Sequence, residues 1–276
     1  MSALTDSSIL PESMGAKKFV YQIFYDHQSL GMLDPGFIPL DNTPNERPDW
    51  FEFWVIRKFL RENRLEEGAW YGFLSPRFKQ KSGFNSDFVL SVLDRIDAHA
   101  DVALFSPGPN VLAYFKNPFE QGEFRHPGLL KASQQFLDDI GFDLNVESLV
   151  THSKNSAFCN YIIAKREYWA RWLDIADQFF EYVEFGSGSD LAQPTLHEGV
   201  PAPMKTFVQE RLSSLILARG EFKIFAPDLA QQLFHHNDTT RRSLIACDFL
   251  KERYSATNDA GYLIMYQKIR GQIEPQ

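Results

Sequence analysis

Polar and charged side chains concentrate in the segment PLDNTPNERPDW, which runs from Pro39 to Trp50 and leads into an aromatic, helix-like stretch. Carboxylate and amide groups such as those of Asp41 and Asn42 can bind the hydroxyl groups of a ribose or another sugar. The planar guanidinium of Arg47 can bind a phosphate through two hydrogen bonds. The alternative is a solvated loop whose side chains cap the following helix. The segment is therefore a candidate ligand-binding loop.

A second candidate is the stretch SAFCNYIIAKREYWARWLD, from Ser156 to Asp174. It places Asn160 at the end of an apolar run and Trp169 and Trp172 in the helix that follows. Aromatic residues in this pattern either pack the helix onto a sheet or line a pocket for a flat or sugar-like ring. Familiar catalytic signatures are absent from the chain, which contains no GxxxxGK, GxGxxG, GxSxG or HExxH.

Hydrophobic periodicity predicts the elements that position these residues. Strands are predicted in KFVYQIFYD, AWYGFLSPRF, ADVALFSP, SAFCNYIIAK and EFKIFAP. The segment HQSLGMLDPGFIPLDNTPNERPD is predicted as one long loop, and the first long helix begins after it at Trp50, with Asp49 as its N-cap. Further helices are predicted between and after the other strands, including one over KTFVQERLSSLILARG. The alternation predicts an α/β fold, in which a mixed, mostly parallel sheet has helices on both faces. We expect a disordered tail over 1–16 and a single domain over 17–276, with a flexible loop near 186–203.

Composition and charge exclude several classes of protein. The net charge of -8, with no basic run, argues against nucleic-acid binding. The longest apolar runs are shorter than the roughly 18–20 residues of a membrane span, and the N-terminus lacks the pattern of a secretion signal. Two isolated cysteines favour free thiols over a disulfide or a zinc site. We therefore expect a cytoplasmic protein without an integral membrane segment.

Four stretches follow one another in a characteristic order, namely DWFEFWVIRKF, WYGFLSPRF, NYIIAKREYWARW and FVQERLSSLIL. Together, over roughly residues 19–225, they resemble a family of bacterial glycosyltransferase-like proteins associated with capsule and surface-polysaccharide synthesis. The resemblance implies a GT-A-like fold, a nucleotide-sugar donor and a glycan acceptor. In open α/β sheets of this kind, ligands bind beyond the carboxyl ends of the strands.

The resemblance also implies roles for individual residues. Glu210 is the first candidate for the base that accepts a proton from the acceptor hydroxyl, and Asp41 is the second. A structural salt bridge with Arg211 is the alternative role for Glu210. We expect Asp41, Arg77, Asn160 and Glu210 to share one cleft. Together with the loop residues, the candidate substrate-binding residues are Asn42, Arg47, Glu52, Tyr71, Arg77, Asn160, Lys165 and Arg211.

Two departures from the family pattern leave a second hypothesis open. A His-Tyr-Arg-Arg-Tyr-like run is replaced by SPRF, so Ser75 stands in place of the histidine. The chain also lacks the Asp-x-Asp pair that holds a divalent cation in many transferases of this fold, so we assign no metal ligand although a divalent cation remains possible. Either Arg77, Lys165 or Arg211 stabilises the leaving group, or the protein is a non-catalytic module that binds carbohydrate or protein.

Overall fold

The computed structural model describes residues 16–197 and 200–275. Its strands are β1 (Lys18–Phe24), β2 (Ile38–Asp41), β3 (Trp70–Leu74), β4 (Val102–Leu104), β5 (Ile162–Ala164), β6 (Pro194–His197), β7 (Val200–Pro203) and β8 (Ile224–Phe225). Its α-helices are α1 (His27–Leu30), α2 (Phe51–Glu62), α3 (Phe78–Ser82), α4 (Ser86–Arg95), α5 (Pro109–Tyr114), α6 (Pro118–Arg125), α7 (Leu129–Asp139), α8 (Arg166–Phe185), α9 (Met204–Gln209), α10 (Leu212–Ala218), α11 (Leu229–Gln232), α12 (Asp238–Thr257) and α13 (Ala260–Arg270). The tail predicted over 1–16 lies, except for its last residue, outside the described residues.

The larger of two sheets in the described chain has six strands, in the order β2-β1-β3-β5-β4-β8. Strand β1 pairs in parallel with β2 and β3, and β4 pairs in parallel with β8. Strand β5 pairs antiparallel with both β3 and β4. The prediction of an α/β fold with a mixed, mostly parallel sheet is therefore confirmed.

Alternate residues of the strands contribute to two separate apolar cores, because successive side chains of a strand point to opposite faces of the sheet. In β3, Tyr71 and Phe73 belong to the core formed with α2, α8 and α10. Trp70 and Leu74 belong to the second core, formed with α3 and α4. Helices thus cover both faces of the sheet, as predicted.

Trp169 and Trp172 of α8 are both buried in the first core. The indole N–H of Trp169 donates to the carbonyl oxygen of Tyr71 at 2.9 Å, and its ring contacts Phe73 edge to face. Of the two alternatives for these tryptophans, packing of the helix onto the sheet is the correct one.

The antiparallel direction of β5 decides which residues reach the carboxyl ends of the parallel strands. The chain enters β5 at that edge, where the Phe105 N–H, just after β4, donates to the carbonyl oxygen of Tyr161 at 2.9 Å. Asn160 therefore lies at the carboxyl edge of the sheet. Lys165 follows β5 and lies at the opposite edge, where its N–H donates to the carbonyl oxygen of Asp101 just before β4.

The segment between β1 and α2 differs from its prediction as one long loop. It contains the short α1 and the edge strand β2, whose Pro39 conceals the strand pattern, and edge strands tolerate proline. The prediction of Asp49 as the N-cap of α2 is wrong, because Trp50 occupies that position. The Asp49 carboxylate instead accepts hydrogen bonds from Arg47 and Lys205.

The segment predicted as a flexible loop near 186–203 contains, in its described part, a 3-10 helix (Gly188–Ala192) and the antiparallel hairpin of β6 and β7. Leu191, only 2% exposed, anchors the 3-10 helix in the first core. The burial of Leu191 could not be predicted from the sequence, because the segment is rich in glycine, serine and proline and a single buried leucine produces no periodicity.

The stretch KTFVQERLSSLILARG, predicted as one helix, forms two helices that are separated by Glu210 and Arg211. Around this break the backbone hydrogen bonds span three residues, as from the Arg211 N–H to the Val208 carbonyl and from the Ser214 N–H to the Arg211 carbonyl. Composition gives no sign of the break, because glutamate and arginine are both good helix formers.

The C-terminal helices α12 and α13 pack on each other, and α12 also packs on α5. The buried ammonium of Lys251 donates to the carbonyl oxygens of Leu112 and Phe115 at the end of α5. Although α8 and α12 each span 20 residues, no helix in the described ranges has both the length and the apolarity to cross a membrane.

Candidate functional site

A cleft of about 990 Å³ lies at the carboxyl edge of the larger sheet. The segments that follow β1, β3 and β4 and the segment that precedes β5 reach it, because the carboxyl ends of parallel strands share one edge. Five predicted site residues line it, namely Glu52, Arg77, Asn160, Glu210 and Arg211. Five of the ten residues predicted for the site therefore lie together in one cleft.

The turn after β3 forms one wall of the cleft. The buried side chain of Gln22 donates to the carbonyl oxygens of Ser75 at 3.1 Å and Pro76 at 3.3 Å, which fixes the turn. The Ser75 hydroxyl lies 2.7 Å from the hydroxyl of Tyr161. Arg77 comes next, immediately before α3, and its exposed side chain borders the cleft.

The segment that leads into β5 forms the floor. Burial raises the pKa of the Cys159 thiol and of the Tyr161 phenol, so both groups stay protonated near neutral pH. The side-chain oxygen Oδ1 of Asn160 is buried, and no group in the described part of the chain donates a hydrogen bond to it. A buried oxygen of this kind is suited to accept a hydrogen bond from a ligand hydroxyl.

Glu210 lies at the break between α9 and α10, and its side chain is half-buried in the cleft. Burial raises the pKa of this carboxyl from its ordinary value of 4.5 to about 7; the positive charges of Arg211 and Lys81 oppose the rise, and the negative charge of Glu52 adds to it. No hydrogen bond or ion pair to the carboxyl is formed by any described residue. A carboxyl with a pKa near 7 can accept a proton at neutral pH.

Arg211 holds the helix break in place. Its guanidinium donates to the carbonyl oxygens of Pro118 and Phe207 and to the side chain of Gln121, so all three of its nitrogens bond to the protein. Burial lowers the pKa of Arg211 to about 10, which leaves it charged at neutral pH. Arg211 therefore positions α6 and the break and places a positive charge near Glu210, without forming the salt bridge considered from the sequence.

Two residues of α9 add hydrogen-bonding atoms that sequence reasoning missed. The side-chain oxygens of Thr206 and Gln209 are buried and have no hydrogen-bond partner among the described residues, and both side chains line the cleft. Gln209 immediately precedes Glu210, and Thr206 lies four residues before it. Residues four apart share a helix face, so this spacing could have identified Thr206 from the sequence. With Asn160, they give the cleft three buried oxygens without partners.

The predicted loop residues Asp41, Asn42 and Arg47 are not among the residues that line the cleft. The exposed carboxylate of Asp41 accepts a hydrogen bond from the Thr43 N–H at 2.7 Å, as in an ordinary turn. The guanidinium of Arg47 forms ion pairs with Asp49 and Glu184 at 3.0 and 2.7 Å. Of the four residues expected to share one cleft, Arg77, Asn160 and Glu210 line it and Asp41 does not.

The ion pairs behind this loop nevertheless shape the wall of the cleft. The buried ammonium of Lys205 lies 2.5 Å from the Asp49 carboxylate, and the Trp50 indole N–H donates to Glu184 at 2.9 Å. The next residue, Phe51, has a φ of +48°, which residues other than glycine rarely adopt, and it lines the cleft. The anchored residues before Phe51 hold this strained conformation.

Tyr71 and Lys165 also lie away from the cleft. Tyr71 faces the first core, and its hydroxyl accepts a hydrogen bond from the Glu66 N–H at 2.9 Å. The ammonium of Lys165 donates to the Ala98 carbonyl at 3.0 Å, at the edge of the sheet opposite the cleft. Asn160 and Lys165 are separated because they lie beyond opposite ends of β5. The antiparallel direction of β5, which the sequence does not reveal, places Asn160 rather than Lys165 at the cleft.

Potential metal ligands do not gather in the described residues, where no group of three or more His, Cys, Asp or Glu side chains is arranged to hold an ion. The turn after β4 is where the resemblance implies an Asp-x-Asp pair. It carries Ser106, whose hydroxyl donates to the carbonyl oxygen of Ser156 at 2.9 Å. This hydroxyl therefore serves the packing of the floor.

Comparison with known proteins identifies no relative, since no family model, no curated protein and no solved structure matches the chain. A function can therefore be inferred only from the residues of the cleft.

Proposed function

We propose that the protein is a cytoplasmic bacterial glycosyltransferase with a GT-A-like fold. It would move a sugar from a nucleotide-sugar donor to an acceptor for a surface polysaccharide. The observation that carries the proposal is Glu210, a half-buried carboxyl with a pKa near 7 and no hydrogen bond from the described residues, in the same cleft as Asn160 and Arg77. The position of this cleft, beyond the carboxyl ends of the strands, is where open α/β sheets bind ligands.

The residues of the cleft match the needs of sugar transfer with inversion. Glu210 accepts the proton of the acceptor hydroxyl while the hydroxyl oxygen forms a bond to the anomeric carbon of the donor. The bond from that carbon to the phosphate oxygen breaks, and the departing nucleotide takes the electron pair. The buried oxygens of Asn160, Thr206 and Gln209 accept hydrogen bonds from sugar hydroxyls, which orients the donor.

Glu52 is the second carboxylate that lines the cleft. Asp41, the second candidate base from the sequence, does not line it. Glu52 lines the cleft at the start of α2, and its negative charge helps to raise the pKa of Glu210. A carboxylate at this position can bind donor or acceptor hydroxyls and keeps Glu210 in its proton-accepting range.

The second candidate function is a non-catalytic module that binds carbohydrate. It is favoured by Ser75, which stands where the resembled family has a histidine and whose hydroxyl is already bonded to Tyr161. A cleft with partnerless oxygens at Asn160, Thr206 and Gln209 would bind a sugar whether or not transfer follows. Turnover separates this candidate from the first.

The test begins with a thermal-shift screen against UDP-, GDP-, CMP- and dTDP-sugars, with and without manganese. A donor that raises the melting temperature is then assayed for release of its nucleotide with the wild-type protein and the Glu210→Gln variant. We expect the variant to bind the donor nearly as well but to turn over about 10²–10⁴ times more slowly, the usual contribution of a general base. The exposed Glu147, replaced by Gln, is the matched control.

Failure of every nucleotide sugar to stabilise the protein contradicts the proposal. Binding without release of nucleotide by the wild-type protein supports the binding module instead. Wild-type turnover in the Glu210→Gln variant excludes Glu210 as the base.

A further inference from the structure

We infer that Arg77, Lys81 and Arg125 form a subsite for the diphosphate of a nucleoside diphosphate, and that this subsite binds the anion without a divalent cation. The inference rests on the proposed function for the class of ligand. It extends that function by assigning the groups that neutralise the charge of the leaving nucleotide. Two of these groups, Lys81 and Arg125, are not among the site residues predicted from the sequence.

The cleft carries more positive than negative side chains in a protein that is acidic as a whole. Arg77, Lys81, Arg125 and Arg211 line it together with the acidic Glu52 and Glu210, whereas the net charge of the chain is -8. Because the chain has an excess of carboxylates, a cationic side chain has many possible ion-pair partners elsewhere in the protein. A positive cleft on such a protein therefore favours an anionic ligand.

The first three of these cations make no salt bridge and no side-chain hydrogen bond with any described residue, in contrast to Arg211. All three side chains are exposed at the cleft. Glu52 and Glu210 line the same cleft but lie beyond ion-pair distance of them in the described structure. Their charges are therefore available to a ligand.

The spacing of two of the cations brings like charges together on one short helix. Arg77 immediately precedes α3, and Lys81 lies four residues later, so their side chains leave the same face. A like-charge pair at this spacing destabilises an isolated helix, and a bound anion removes the repulsion. Lys79, between them, does not line the cleft and lies instead near Asp34, whose pKa it helps to lower.

Arg125 approaches the cleft from the end of α6, and its guanidinium lies 5.6 Å from the centre of the Phe124 ring. A planar guanidinium can donate two parallel hydrogen bonds to a phosphate, and an ammonium such as that of Lys81 acts as a point charge. Lys81 is also close enough to Glu210 to affect the pKa of its carboxyl. An anion held by Lys81 therefore lies near the carboxyl proposed as the base.

The test measures binding by calorimetry, in EDTA and in manganese, with UDP, GDP, CDP, dTDP and inorganic pyrophosphate as probes. We expect at least one nucleoside diphosphate, and pyrophosphate more weakly, to bind in EDTA with an affinity within about threefold of that in manganese, since protein cations already supply the charge. Lys81→Gln and Arg125→Gln should each weaken binding about tenfold, the loss expected for one charge-assisted contact. Lys79→Gln on the same helix and Arg64→Gln, an exposed arginine away from the cleft, are matched controls that should bind like the wild type.

The outcomes separate this inference from the proposed function. Binding that requires manganese, or that survives both cleft substitutions, overturns the cationic subsite while leaving the transferase proposal intact. Metal-independent binding that depends on Lys81 and Arg125, without turnover of any nucleotide sugar, supports the subsite and counts against the transferase. Absence of binding by every probe in both buffers overturns both.

Discussion

The replacement of Glu210 by Gln should remove a pH-dependent loss of stability. A carboxyl whose pKa is about 7 when folded and about 4.5 when unfolded holds its proton more tightly in the folded state. Its contribution to the free energy of unfolding is therefore fully present below pH 4.5. It is lost as the pH rises through 7, where both states are ionised.

The magnitude follows from the two pKa values. One pH unit corresponds to about 1.4 kcal/mol, so the full difference is worth about 3 kcal/mol. Because the side chain is only half-buried, water screens part of this effect, and we expect between about 2 and 3 kcal/mol. The Gln variant cannot ionise. It should match the wild type near pH 4 and be more stable by that amount at pH 8.

Urea unfolding, followed by tryptophan fluorescence between pH 4 and 8, measures the difference for the wild type, Glu210→Gln and the control Glu147→Gln. The control cancels the effect of removing one negative charge from the surface. A difference between Glu210→Gln and wild type that does not change with pH would refute the reasoning. A Gln variant that is less stable at pH 8 would show that the carboxylate is stabilised by Arg211 or Lys81, as in the salt-bridge alternative.

Three further substitutions test how the cleft is held, each by urea unfolding. Phe51→Gly should be more stable than Phe51→Ala by about 1–2 kcal/mol, because only glycine adopts the φ of +48° without strain; equal stabilities would contradict the strain. Trp169→Phe should cost about 1–3 kcal/mol, because the hydrogen bond from the indole to the Tyr71 carbonyl is lost, and should leave ligand binding unchanged. A loss of binding under conditions in which the variant is fully folded would show that Trp169 contributes to the site. Lys251→Met should cost about 2–4 kcal/mol, because two buried carbonyls at the end of α5 lose their donor; a neutral result would show that water replaces it.

The elements of the fold were largely predictable because their side chains are periodic. The strands β1, β3 and β4 are short apolar runs, and α8 repeats its buried residues at helical spacing. The strand β2 escaped prediction because it is an edge strand of four residues that contains a proline. The direction of β5 could not be predicted, because it depends on pairing with strands that are distant in the chain.

The candidate site was predictable only in part, for related reasons. Arg77 reaches the cleft because it follows the end of β3, a position that local sequence reveals. Asn160 reaches the cleft only because β5, which it precedes, runs antiparallel to its neighbours. Lys165 was assigned to the same site from a continuous motif, yet the three residues of β5 carry it to the opposite edge. The break at Glu210 depends on the tertiary contacts of Arg211, and no local sequence pattern predicts these contacts.

The most direct test of the central claim is a crystal structure with the nucleotide sugar that stabilises the protein most. We expect electron density for the ligand in the cleft, with its phosphates beside Arg77 and Lys81 and its sugar beside Asn160 and Glu210. Ligand density at another surface, such as the edge of the sheet that carries Lys165, with the cleft filled only by solvent, would contradict the central claim.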